Sequence, residues 1–202
     1  MFTELMHRGG PIMWPLLVTS IVAITVVIER LLFIWRHKRE RDPRAAETIL
    51  AEVERNDLAA AIQAGENSRD FVARVLAEAL KHGEESLSGV LMRASTAELK
   101  QFGRGLPVLD TAITLAPLLG LLGTVTGMIR AFRIVGGDEL GTPLAITGGV
   151  AEALIATAFG LGIAIVALIP FNYLNARMEA ARHDLEDAGS HLELLIIRRR
   201  SK

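Results

Sequence analysis

The chain has 202 residues, half of them apolar and only 5% aromatic, with a formal net charge of -1 and no cysteine. The apolar share exceeds that of an ordinary soluble domain. The near-zero charge gives no electrostatic footprint for nucleic acid, and the lack of cysteine excludes disulfides and thiolate metal sites. The five histidines (His7, His37, His82, His183, His191) have no HExxH-type spacing, so no metal, cofactor or catalytic nucleophile is assigned and the chain is not expected to be an enzyme.

The first element is an uncharged run of 20 residues from Gly9 to Ile28, long enough for a helix to cross a bilayer core. It has no basic leader and no small-x-small cleavage site, so it is expected to stay in place as an anchor. Residues 1–35 form the N-terminus and first span, with Trp14 and Trp35 near its two ends as interfacial anchors. Glu29 and Arg30 follow the run directly and are expected to snorkel or pair at the interface.

Basic residues then crowd in: Arg36, Lys38, Arg39, Arg41 and Arg44. Lys100 and Arg104 precede the second apolar run, and Arg177 and Arg182 follow the third. The opposite flanks hold only Arg8, Arg130 and Arg133. The positive-inside rule places the N-terminus outside the cytoplasm, and the 36–104 segment and C-terminus within it. Residues 36–104 carry twelve basic and twelve acidic side chains and one proline. Two stretches there read as amphipathic helices, with Ile49, Leu50 and Val53 on one and Phe71, Val75, Leu76 and Ala79 on the other. Gly65 and Gly83 fit helix stops.

The second span (105–132) contains the 19 uncharged residues Thr111–Ile129, with the stretch "LAPLLGLLGTVTGMIRAF" at Leu115–Phe132. A short Gly-rich outer loop (133–148) leads to the third span (149–175), which contains 24 uncharged residues, Ala153–Ala176. The 176–202 tail continues as a helix. Leu174, Met178, Ala181, Leu185, Ala188, Leu192 and Leu195 form a heptad seam, open to self-association or to packing within the chain. The closing "RRRSK" reads as a solvated tail or a contact with anionic lipid. The fold class is thus an all-α membrane protein: three transmembrane helices, long cytoplasmic extensions of helices two and three, and a helical cytoplasmic loop.

Ala116, Gly120, Gly123, Gly127 and Ala131 share one face of span two, within an arc of about 80° at about 100° per residue. Gly149, Ala153, Ala156, Gly160, Ala164 and Ala167 do the same on span three. In lipid, small faces let helix backbones approach closely, which makes Gly120, Gly123, Gly127 and Gly160 packing positions.

Polar residues interrupt both spans. Asp110, Thr114 and Thr124 lie along another face of span two, and Glu152 and Thr157 lie on span three. Counted by rise per residue, Thr124 and Thr157 fall at similar depth, as in a polar constriction. The alternative is that each hydroxyl bonds its own i-4 carbonyl. Asp110 either lines a path or complements a helix dipole. Glu152 is an acid inside or at the edge of a span, where such groups usually face a cavity or a partner.

"LAPLLGLLGTVTGMIRAF", followed about twenty residues later by "GGVAEALIATAFGLGIAI", resembles the MotA/TolQ/ExbB proton-channel family. The three-span layout is similar to ExbB and TolQ, with ExbB first. The resemblance implies a homopentamer in the bacterial inner membrane, with spans two and three lining a pore. That pore would hold an ExbD- or TolR-like single-span partner supplying an aspartate, with a TonB- or TolA-like protein acting beyond it. The translocated ion would be a proton, driving a motor stator that energises outer-membrane transport or, in the TolQ-like case, envelope integrity. The family's pore threonines fall on Thr124 and Thr157, its acid on Glu152, and its asparagine near the inner end of span three on Asn172. Asp110 is a looser match. Pro170 lies unexpectedly close before Asn172, which loosens the register there. The rival from another class is a non-conducting membrane scaffold whose polar residues serve packing.

Overall fold

The computed structural model describes residues 9–82, 86–135 and 143–200. The described residues form seven α-helices and no strand: α1 (Met13–Glu40), α2 (Pro43–Glu54), α3 (Leu58–Glu66), α4 (Phe71–His82), α5 (Leu87–Gly103), α6 (Leu106–Val135) and α7 (Pro143–Arg200). α1, α6 and α7 carry membrane-length apolar stretches, so the all-α, three-span fold expected from the sequence is the fold observed. α7 begins at Pro143, six residues ahead of the expected 149, and runs without a break into the tail to Arg200. The Gly83 stop and the middle of the expected outer loop lie outside the described residues.

The chain divides into two compact units, Met1–Arg30 with Gly105–Tyr173 and Leu31–Arg104 with Leu174–Lys202. In the first, the membrane unit, α6 and α7 lie against each other along their small residues. The start of α1 packs on them through buried Met13 and Leu16, against Ala116, Leu119, Phe159 and Ile163. Arg30 is buried and its Nη2 donates to Glu29 Oε1 across 2.6 Å, so the pairing expected at this end of the span is present. Gly105 has φ +83°, and a Cβ on it would stand 2.9 Å from Val26 Cγ1. Both facts demand glycine. The extension of span two is therefore a separate helix, α5, divided from α6 by a turn at Arg104–Gly105.

The second unit is a small helical bundle. Each of its short helices opens on a side-chain cap, which satisfies backbone donors that a helix start leaves unpaired. Asp42 accepts from Arg44 N, Asp57 from Ala60 N, and Ser86 from Gly89 N. Asp70 does more. Its Oδ1 accepts from Val72 N and Ala73 N at the head of α4. Its Oδ2 accepts from Asp42 N and from Arg41 Nη1, the latter at 2.6 Å. The other arm of Arg41 donates to Asp184 on α7 across 2.7 Å. Partial burial disfavours the Arg41 charge, but the hydrogen bond to Asp70 and the charges of Asp70 and Asp184 outweigh it and hold the guanidinium above its ordinary value.

Ile49, Val53, Phe71, Val75, Leu76 and Ala79 are buried in this bundle, as the helical spacing predicted, while Leu50, expected on the same face, is half-buried. Leu174, Ala181, Leu185 and Leu192 are buried too, so the heptad seam serves packing within the chain. Gly65 is not a helix stop. It lies inside α3, which ends at Glu66 with Asn67 as its cap. A Cβ at Gly65 would collide with Ala77 and stand 2.8 Å from Ala73 O. The glycine is there to let α3 and α4 approach.

Candidate functional site

The site is the seam where α6 and α7 run antiparallel. Its register follows from what a side chain on each glycine would meet. A Cβ on Gly120 would stand 3.0 Å from Thr157 Cα, and one on Gly123 would stand 2.5 Å from Ala156 Cβ. A Cβ on Gly127 would stand 3.0 Å from Ala153 Cβ, and one on Gly160 would run into the Ala116 carbonyl. Backbone therefore lies almost on backbone for four helical turns. With lipid as solvent there is no hydrophobic drive to join two helices, so close van der Waals contact and interhelical hydrogen bonds must do it.

One such bond comes from a predicted site residue. Thr157 Oγ1 donates to the carbonyl of Gly120 across 3.0 Å. Back-bonding within one helix, the alternative reading, does describe the threonines of α6. Thr114 donates to Asp110 O and Thr111 O, Thr124 to Leu121 O at 2.7 Å, and Thr126 to Leu122 O. Thr157 differs because glycine at 120 brings a foreign carbonyl within reach.

Thr124 and Thr157 do not meet at one level. Thr157 stands opposite Gly120, four residues or about 6 Å along α6 from Thr124. Both are half-buried. Thr124 opens onto a shallow groove it shares with Val125, Met128, Ile129 and Phe132. Within one chain the pair is a wall with a hydroxyl on its accessible side, not a closed constriction.

Glu152 lies nine residues after Pro143, deeper into α7 than its distance from the expected boundary at 149. Its Oε1 accepts from Arg130 Nη1 of α6 across 2.8 Å. The side chains keep 24% and 47% exposure, Glu152 and Arg130 in that order. Gly10, at φ +71°, brings its backbone against the Glu152 carboxylate so closely that a Cβ there would overlap Oε1. Glu152 is thus an ion-paired acid held between the two helices and the chain entering α1. Asp110 and Asn172 are both exposed on their helices.

The sequence reading missed Arg130 as a site residue and counted it only as a flank charge. The signal was there in the register. Gly127 faces Ala153, so a long base three residues beyond Gly127 and an acid one residue before Ala153 can reach each other across an antiparallel pair. Among the described residues no group of histidines and carboxylates could hold a metal ion.

Residues 58–187 match the sequence profile of the MotA/TolQ/ExbB proton channel family. That stretch covers α3 through most of α7 and so contains the whole seam. The chain belongs to the MotA/TolQ/ExbB proton channel family. Among its relatives in the family, the putative biopolymer transport protein ExbB-like 1 of Synechocystis sp. is 38% identical over 195 residues, which is 93% of this chain and 76% of that protein. The ExbB of Neisseria gonorrhoeae is 36% identical over 132 residues, 65% of this chain and 59% of its own length. The Tol-Pal system protein TolQ of Haemophilus influenzae is 38% identical over 91 residues, 45% of this chain and 40% of its own length.

Proposed function

We propose that this chain is the pore-forming subunit of an ExbB-like proton-driven motor in the bacterial inner membrane. Five copies form a ring, α6 and α7 face its central pore, the N-terminus is periplasmic, and the α2–α5 bundle and the C-terminal part of α7 lie in the cytoplasm. The pore holds a single-span ExbD-like partner, which works with a TonB-like protein to energise outer-membrane transport. The observation that carries this reading is the family match over the whole α6–α7 seam. The ExbB-like relative aligns along nearly the whole chain and the TolQ relative along less than half of it, which favours the ExbB-like role over the TolQ-like one.

The seam's chemistry fits that role. Threonine does not change protonation at ordinary pH, so Thr124 and Thr157 can only pass hydrogen bonds to water or to a carboxylate. The titrating group is the aspartate of the partner. One charge crossing 100 mV releases about 2.3 kcal/mol. Rigid helix pairs joined by small residues would keep that energy from being lost in deforming the wall.

The test is proton flux into liposomes holding the chain co-purified with its single-span partner, read by an internal pH dye. Thr124→Val keeps shape and removes a hydroxyl that bonds within its own helix. Flux should fall at least about tenfold, the effect of about 1.4 kcal/mol on the barrier, while the ring stays intact by native mass spectrometry. Unchanged flux in an intact ring would sink the pore assignment and leave the scaffold.

A further inference from the structure

We infer that Arg36, Arg39 and Arg69 form a headgroup clamp for an anionic phospholipid, one carrying a single phosphodiester charge. The three arginines line one open groove of about 450 Å³ with Asn67, Ser68, Glu40 and Asp42. Arg36 and Arg39 come from the end of α1, and Arg69 comes from the turn between α3 and α4.

These three arginines are set apart by what they lack. In the same bundle Arg41, Arg55 and Arg74 each meet a carboxylate at 3.0 Å or less. Among the described residues, Arg36, Arg39 and Arg69 meet none. The Arg39 guanidinium carbon lies over the Trp35 ring, 3.8 Å from its centroid, a cation–π contact that does not use up the N–H donors. The Ser68 oxygen accepts from Asp70 N, so its own hydrogen remains available as a donor. A planar guanidinium fork matches two phosphate oxygens at once.

Position identifies the phosphate as a lipid's. Residues four apart on a helix share a face. Arg36 follows Leu32 by four and Arg39 follows Trp35 by four, and both Leu32 and Trp35 are exposed. Exposed apolar side chains of α1 therefore stand one helical turn before the basic groove. Acyl chain and headgroup have one surface each, in the right order. Two rim carboxylates against three guanidiniums leave a net single positive charge, which suits a phosphodiester better than a doubly charged free phosphate.

Trp35 is a built-in reporter, since the chain has only two tryptophans. In the Trp14→Phe protein in phosphatidylcholine nanodiscs, brominated phosphatidylglycerol should quench Trp35 at about fivefold lower mole fraction than brominated phosphatidylcholine, as roughly 1 kcal/mol for the net single charge requires. Replacing Arg36, Arg39 and Arg69 together by glutamine should erase the difference. Arg69→Gln alone, an exposed turn substitution that leaves α1 untouched, should lower it about threefold to fivefold. Removing three charges elsewhere (Arg44→Gln, Arg93→Gln, Arg177→Gln) should leave it. Equal quenching by the two lipids, or a preference that survives loss of the groove arginines, overturns the clamp. Loss of the preference in the control triple reduces it to general surface charge. Displacement of the brominated lipid by millimolar inorganic phosphate overturns the lipid assignment in favour of a soluble anion.

Discussion

The Thr157 hydroxyl of α7 donates to the Gly120 carbonyl of α6 across 3.0 Å, and the Thr157 Cα would lie 3.0 Å from a Cβ on Gly120. The bond exists because the glycine exists: any side chain at 120 would push the donor's backbone away. Gly120 O is also the helical acceptor for the Thr124 amide one turn on. The two threonines are thus joined through a shared carbonyl, and their substitutions should separate. Thr157→Val should cost the helix pair about 0.6 kcal/mol and at most about 1.7, the range of interhelical hydrogen bonds in membranes, and Thr157→Ser should recover it. Thr124→Val should leave stability within about 0.5 kcal/mol. Unfolding in mixed micelles measures both, and equal losses at the two positions would mean that the bond across the seam contributes nothing.

The glycines of α7 supply an internal control. A Cβ at Gly160 meets the Ala116 carbonyl, while one at Gly162 meets nothing within 4 Å. Gly160→Ala should destabilise the membrane unit by about 1–3 kcal/mol, the usual cost of overpacking. Gly162→Ala should be neutral or stabilising by up to about 1 kcal/mol through helix propensity. Thermal unfolding of both variants in one detergent decides it, and a similar loss at Gly162 would show that flexibility, not close approach, is what α7 needs.

Much of this architecture was legible because membrane helices leave a coarse signature. Three uncharged runs set the spans, and the period of Gly120, Gly123 and Gly127 marked the face that α7 covers. The start of α7 was not legible. The residues after Pro143 read as loop chemistry, yet they are helical, and this puts Glu152 in the third turn of α7. Nor was the Arg130–Glu152 pair, which appears only once the antiparallel register is known. The break at Gly105 was not read, although Gly103, Gly105 and Pro107 around Arg104 are turn chemistry. Asp70 was not singled out in the sequence. Its second role needs Arg41 and Asp184, 29 residues before it and 114 after it, and no local pattern links them.

The Arg130–Glu152 pair separates a structural from a conducting role for the acid. Both side chains are partly exposed, so screening limits their coupling to about 0.5–1 kcal/mol. A double-mutant cycle with Glu152→Gln and Arg130→Gln should return that value. The exchanged pair, Glu152→Arg with Arg130→Glu, should regain stability but not proton flux if the carboxylate's place on α7 matters to the path. Recovery of flux in the exchanged pair would make Glu152 a strut.

Asp70 should be the most sensitive polar position in the helical bundle. Its side chain is fully buried, caps α4 with one oxygen, and holds Asp42 N and Arg41 with the other. Asp70→Ala removes the cap and leaves a partly buried guanidinium without its nearer partner, a loss of about 3–5 kcal/mol by comparison with other broken buried pairs. Asp184→Ala removes only the exposed arm of the same arginine and should cost under about 1 kcal/mol. Amide hydrogen exchange of the full chain in detergent reads each change locally. In Asp70→Ala the amides of α4 should lose protection before those of α6, because the donors at Val72 and Ala73 lose their acceptor and the α4 helix frays from that end. If α4 and α6 lost protection together, the bundle and the membrane helices would be one cooperative unit, and Asp70 would hold up more than the helix it caps.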